Sequence, residues 1–419
     1  MERTFDWSRN TAIDMLRALT MALMIFVNDF WKVHGVPQWM EHAKVGVDFI
    51  GLSDVVLPLF LFAVGMSVPY AIENRFRKGL ATESTLGHIL MRAFSLMIMG
   101  CVIGNASQRL PEDFSLYKIG FYWILMVVCF FCIWNAYPSK DISAGRKRMY
   151  MAIRCLGIAG LLFLAFTYRS PKGFVFDVRW SILGSIGWTY LVTAIIYLLT
   201  RSNMRRLGLV WLAMFVLCAL TNHTREELGG GNLPGFQEPN FLGGIMTAWH
   251  IGNNTLLCLG GVIFSVIIAG RGFSPRMCAK SQVENHFRQF SQFTLSALTA
   301  FILLAVISRR IWIAAKIGLT IPCIFYIYAL AIAMYAIFIL LSRYGFTKWY
   351  ERLFRPAGTA TLTTYMIPYV FYGFADIFNI VLPDFLTYPP MALWNCFGFS
   401  LLVIFISGVL ERLGIKLKI

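Results

Sequence analysis

The stretches DMLRALTMALMIFVND, residues 14–29, and SDVVLPLFLFAVGM, residues 53–66, decide how the rest of the chain is read. Both are apolar runs of membrane-crossing character. Yet Asp14 and Arg17 stand at the start of the first, Asn28 and Asp29 at its end, and Asp54 at the start of the second. A polar segment with His34, Glu41, His42 and Asp48 joins them. Ionisable groups at bilayer depth are costly and persist where they pair or face a cavity, so each is a functional candidate. Taken singly, each also has a structural reading. Asp14 and Arg17 lie three apart on one helical face and can pair to fix a helix end; Asn28, Asp29 and His42 can be interfacial residues in contact with water. Their clustering is what favours function.

Composition sets the class. Of the 419 residues 58% are hydrophobic and only 14% charged, with a mean hydropathy of +0.65. An ordinary soluble domain carries nearer a quarter of its residues as charges, so the chain reads as all-α, a polytopic integral membrane helix bundle. The net charge of +16 belongs to its loops, where Lys and Arg gather on the cytoplasmic side; nucleic acid is excluded as a partner. The nine cysteines lie mostly in apolar runs, where free Cys acts as a small hydrophobe. Cys129 and Cys132 form a C-x-x-C within a span, without a second pair to complete a metal site. The first apolar run keeps Asp14, Arg17 and Asn28 and lacks a small-residue cleavage site, so it is expected to stay as the first helix.

At about twenty apolar residues per crossing, spans are expected near 12–31, 50–72, 89–106, 118–138, 151–168, 181–200, 208–221, 246–269, 291–308, 317–342, 359–380 and 391–410. That is about twelve crossings, in a single domain over 1–419. The span at 208–221 is short enough to be re-entrant. With the N-terminus inside, the basic residues concentrate in the inner loops, so the positive-inside rule places both termini in the cytoplasm. Asp14, Arg17 and Arg92 then fall on the cytoplasmic side and His42 on the outer side. The loop from Asn222 to Gly244, rich in Gly and Pro and flanked by His223 and His250, is long for a bundle connection and is a candidate lid.

Asp14-x-x-Arg17, Phe26-Val27-Asn28, His42-Ala43, Ser53-Asp54 through Leu57-Pro58-Leu59-Phe60, and Gly65 together resemble the heparan-alpha-glucosaminide N-acetyltransferase family, within a wider group of transmembrane acyltransferases. Arg92-Ala93-Phe94, Ile182 to Leu191, Arg355 to Tyr365 and Gly414-Ile415-Lys416 are also similar to family positions. The sequence departs from the pattern where Ala18 replaces a usual glycine and where Gly184-Ser185 replaces Gln-Arg. Residues near 118–170 look like a helical pair added to a ten-helix core.

The resemblance implies a transmembrane acetyltransferase moving acetyl from cytoplasmic acetyl-CoA to an amino sugar, such as a glucosamine-type glycan terminus, on the outer face. The implied partners are acetyl-CoA, an amino-sugar or glycan acceptor and the lipid bilayer, with a homodimer as a possible assembly. A bacterial inner membrane is the expected location. Arg17 and Arg92, with Asp14 beside them, are the donor-binding residues, since guanidinium matches phosphate oxygens. The small residues Gly65, Ser67, Gly100 and Gly104 could leave a channel for the pantetheine arm or pack helices closely. His42 occupies the catalytic position, as general base or as transient acyl acceptor; imidazole suits both. Asn28 is the candidate oxyanion donor. Asp54 either orients the imidazole or is a first-turn helix acid. No metal is required, because the donor supplies an activated group. Two other readings remain: an O-acyltransferase of a cell-envelope polysaccharide, which the same base would serve, and a small-molecule or sugar transporter, which would move substrate without consuming CoA.

Overall fold

The computed structural model describes residues 5–44, 46–106, 118–138, 142–167, 181–222, 252–275, 283–345, 350 and 353–419. Within them the chain is helices and loops, with one isolated antiparallel bridge between Asn135 and Leu417. The helices are α1 (Thr11–Asn28), continued by a 3-10 turn (Asp29–Lys32), α2 (Leu52–Arg77), α3 (Thr82–Ala106), α4 (Ile119–Trp134), α5 (Ala144–Thr167), α6 (Ile182–Thr200), α7 (Met204–Thr221), α8 (Asn253–Arg271), α9 (Val283–Ser308), α10 (Ile321–Arg343), α11 (Arg355–Thr359), α12 (Thr361–Ile377) and α13 (Met391–Arg412). A short 3-10 turn, Asp384–Leu386, lies between the last two.

Each of the expected apolar segments contains a helix, and these helices differ in length. Ten helices among the described residues are long and apolar enough to cross a bilayer, and the chain is an integral membrane protein. The other two, α4 with 16 residues and α12 with 17, extend only about 24–26 Å at 1.5 Å per residue, short of the roughly 30 Å hydrocarbon core. The segment that looked short, 208–221, is a full helix from Met204. Arg205 and Arg206 form its first turn, and the Asn203 side chain accepts the Arg206 N–H at 3.2 Å. Charge in that turn hides the helix start from a hydropathy reading. The candidate lid, with His223 and His250, lies outside the described residues.

Helices α2 and α8 are the most enclosed spans, whereas α5, α7 and α9 present most of their apolar surface outward, as lipid-facing helices do. Backbone contact joins the inner layer. A Cβ on Gly65 would overlap the carbonyl of Cys258, one on Gly261 the carbonyl of Phe62, and one on Gly100 the backbone of Gly184. Gly65 and Gly100 therefore serve close packing, the small-residue mode of membrane helices, and do not open a channel at those points. Ser67 hydrogen-bonds within its own helix, to the Ala63 carbonyl at 2.8 Å. Gly184, where the family pattern has a long polar residue, is used here for the α3–α6 crossing. Gly65→Ala should lower stability by about 1–3 kcal/mol, the usual cost of overpacking, because a backbone carbonyl cannot swing aside. Thermal unfolding in detergent checks this, with Gly87→Ala as the comparison: Gly87 has open space around it and alanine is the better helix former, so its midpoint should not fall.

Helix α1 is the element that positions both polar clusters. Asn10 caps it, accepting the Ala12 N–H at 3.1 Å, and donates to the Tyr335 hydroxyl on α10 at 2.8 Å. Asp14 packs its backbone against Gly358 of α11, and the Ser400 hydroxyl of α13 donates to the Ala22 carbonyl at 2.8 Å. The first span is thus held by some of the last.

Candidate functional site

The loop between the 3-10 turn and α2 folds back onto the start of α2. The Leu52 N–H bonds the Trp39 carbonyl at 2.8 Å, and the Ser53 hydroxyl donates to the Met40 carbonyl at 2.5 Å. Gly51 lies against the Glu41 carbonyl, where a Cβ would collide. This return brings His42 to the first turn of α2, where Asp54 sits with only 1% of its surface exposed.

The two side chains are hydrogen-bonded, with His42 Nδ1 2.8 Å from Asp54 Oδ1. The other carboxylate oxygen, Oδ2, accepts the backbone N–H of Ala43 at 2.9 Å and of Gly51 at 3.0 Å. Asp54 therefore fills both roles open to it in the sequence: it caps the helix start with Oδ2 and holds the imidazole with Oδ1. An ionised carboxylate only accepts, so the proton of His42 belongs on Nδ1, leaving Nε2 with a free lone pair. The imidazole is 56% exposed. An imidazole oriented by a buried carboxylate can take a proton from an attacking nucleophile, or itself attack an acyl carbon.

Two neighbours of this pair are not apparent from the sequence. Lys316, in the loop 309–320 between α9 and α10, places Nζ 3.5 Å from His42 Nδ1. Burial pulls its ammonium below the usual lysine pKa, with Asp54 pulling the other way. Asp48 fastens the same loop, accepting from Arg309 Nε at 3.0 Å and from the Ala314 N–H at 2.8 Å. The carboxylate raises the Arg309 pKa. Nothing local in the sequence marked Lys316 or Arg309.

Asn28 ends α1 at this same end of the bundle and is exposed. No hydrogen bond joins it to His42 or Asp54 among the described residues. Its neighbour Asp29, far from being an interfacial residue in water, is 1% exposed. It accepts from Lys32 Nζ at 2.7 Å and from the Tyr372 hydroxyl at 2.9 Å. Lys32 in turn lies over the rings of Tyr372 and Phe399, at 4.6 and 5.1 Å. These contacts pin the turn after Asn28 to α12 and α13.

The remaining candidates gather at the opposite end of α1, about 21 Å from Asn28 by the 1.5 Å helical rise. Asp14 pairs with Arg9 at 2.8 Å and, more loosely, with Arg17 at 3.9 Å; Arg17 also reaches Thr361 on α12 at 3.4 Å. Arg92, on α3, lies within electrostatic range of Arg17 and over the Tyr190 ring at 4.9 Å. Its Nε is buried without a hydrogen-bond partner, as is the hydroxyl of Tyr350, which acts electrostatically on Arg17. Arg75, Arg92 and Lys418 all act on His88 nearby. The candidates thus form two groups: Asp14, Arg17 and Arg92 in a basic cluster, and His42 bonded to Asp54 at the far end, with Asn28 on that side. Among the described residues no three His, Cys, Asp or Glu side chains converge as a metal site would need.

Residues 9–132 match the family described as heparan-alpha-glucosaminide N-acetyltransferase, catalytic. The mouse heparan-alpha-glucosaminide N-acetyltransferase is 25% identical over 141 residues, 32% of this chain and 21% of that protein. The human protein of the same name is 27% identical over 102 residues, 24% of this chain and 15% of its own length. The chain thus aligns with about a fifth or less of each relative's length. The matched segment carries Asp14, Arg17, Asn28, His42, Asp54 and Arg92, and over it the chain is similar to the heparan-alpha-glucosaminide N-acetyltransferase family.

Proposed function

We propose that this protein is a transmembrane acetyltransferase, taking acetyl from acetyl-CoA at the basic end of α1 and delivering it to the amine of an amino sugar at the His42 end. The observation that carries the reading is the His42–Asp54 pair, its Nε2 left free, inside the family-matched segment. In the reaction the acceptor nitrogen attacks the thioester carbonyl and His42 Nε2 takes the proton that nitrogen loses. Asn28 donates to the oxyanion of the tetrahedral intermediate. The carbon–sulfur bond then breaks, and the proton passes to the departing CoA thiolate, giving an amide and free CoA. With both termini in the cytoplasm, the acceptor lies outside the cell or organelle membrane and the donor inside.

The basic cluster suits the phosphates of the donor. Arg17 carries only long contacts, to Asp14 and to Thr361, and a buried guanidinium N–H on Arg92 and the buried Tyr350 hydroxyl lack partners that a phosphate oxygen would supply. The decisive experiment is release of free CoA by the purified protein in nanodiscs, given acetyl-CoA with and without glucosamine. Acceptor-stimulated release supports the transferase; binding of neither acetyl-CoA nor CoA removes it in favour of a transporter. Arg92→Ala should weaken CoA binding about ten- to a hundredfold, the worth of one hydrogen bond to a charged group. An unchanged dissociation constant by calorimetry takes Arg92 out of the donor site. In the same assay Asn28→Ala should slow turnover without altering donor affinity; a change in affinity alone sinks the oxyanion role.

A further inference from the structure

His42 Nδ1 has two neighbours of opposite charge. Asp54 Oδ1 lies at 2.8 Å and Lys316 Nζ at 3.5 Å, on a loop 274 positions away in sequence. A ring nitrogen has one in-line position, and the shorter contact, to an acceptor, takes the Nδ1–H. The ammonium, which only donates, is left close to the ring without a lone pair on Nδ1 to donate to. Its effect on the imidazole is electrostatic: the carboxylate favours imidazolium and the ammonium disfavours it.

We propose that Lys316 is a positioning residue of the transfer site, whose ammonium offsets Asp54 at Nδ1 so that His42 remains neutral, with Nε2 ready to take a proton, near neutral pH. This rests on the assignment of His42 as the base. The carboxylate alone would orient the ring but also favour its imidazolium form, which cannot act as a base. Asp54 can therefore be kept for tautomer and orientation while Lys316 cancels the unwanted half of its influence. The site is built to hold Lys316 there. Asp48 fixes the loop through Arg309 and the Ala314 N–H, and the Ala315 N–H bonds the Thr320 hydroxyl at 3.0 Å, closing the turn that carries the lysine.

The other charged or titratable groups around the imidazole act less directly. Glu41 and Lys44 flank it on its own loop, exposed and of opposite sign. The Asp48–Arg309 pair is internally neutralised. On α10, Cys323 is buried within electrostatic range of Asp54 and Lys316. Lys316 is thus the one unneutralised cation in direct contact with the ring among the described residues. Burial lowers its pKa, so it gives up its charge at a lower pH than an exposed lysine, and above that pH its opposition to imidazolium fades.

The test is the titration midpoint of His42 itself, read by NMR on histidine-labelled protein in nanodiscs, with the signal assigned among the six histidines by its loss in His42→Ala. Like charges 3.5 Å apart repel appreciably even at the dielectric of water, so Lys316→Met should raise the midpoint by about one pH unit or more. Lys316→Gln should do the same, and Lys316→Arg should leave it near wild type. The acidic limb of the pH–rate profile for transfer should move up in step. A midpoint unmoved in both neutral variants overturns the proposal whatever their activity. Undiminished transfer by His42→Ala is a different failure: it removes the base assignment, while the NMR result still reports on the contact.

Discussion

Replacing His42 with alanine is expected to cut acetyl transfer by about a hundred- to ten-thousandfold, the range that a positioned acid–base group supplies, while CoA binding stays unchanged. The split follows from the geometry. His42 lies at one end of α1 and the basic cluster at the other, about 20 Å away by helical rise, so removing the imidazole leaves Arg17 and Arg92 in place. Release of CoA from acetyl-CoA in the presence of glucosamine measures the first quantity and calorimetry the second. Near-normal turnover in the variant would show that proton transfer takes place elsewhere. If His42 instead carries the acetyl group, acid quenching of the wild-type protein with labelled acetyl-CoA and no acceptor should trap a protein-bound acetyl that His42→Ala lacks.

The second large effect is expected at Asp54, where the choice of substitution separates two roles. Asp54→Asn keeps one oxygen for the N–H groups of Ala43 and Gly51, so helix α2 should start as before and thermal stability should change little. Its amide nitrogen, however, then faces His42 Nδ1. A donor there selects the tautomer protonated on Nε2, which cannot accept a proton. Transfer should fall by roughly ten-thousandfold, as when the acid of a Ser-His-Asp triad becomes its amide. Asp54→Ala should lose transfer and stability together, since two buried N–H groups are left unpaired at about 1–3 kcal/mol each. If Asp54→Asn transfers acetyl at close to the wild-type rate, the carboxylate is only a helix cap.

Much of this arrangement could be read from the sequence because it is local. His42 and Asp54 are twelve positions apart, and Asp14 and Arg17 share one helical face, so helix periodicity and the α1–α2 return bring each pair within reach. Apolar runs located the helices, failing only where polar turns extended them past the hydrocarbon, as at Met204. Lys316 and Arg309 were not legible, since their partners lie 274 and 261 positions away and a lone lysine in a loop has no periodicity to betray it. The glycines show a different limit. Gly65 and Gly100 read equally well as a gap or as a contact, and only the neighbouring helix decides. Asp29 was undervalued for the same reason: what buries it is Tyr372, from the far end of the chain.

The clasp between the first helix and the last has a consequence for biosynthesis. Arg17 waits for Thr361, Asn10 for Tyr335 and Ala22 for Ser400, separations of 344, 325 and 378 residues. At about 5–20 residues per second of synthesis, α1 spends roughly 20–80 seconds in the membrane before its final neighbours emerge from the ribosome. Through that interval Asp14 has Arg9 and Arg17, and Asp29 has Lys32, so local ion pairs hold the charges of α1 until the later helices complete the clasp.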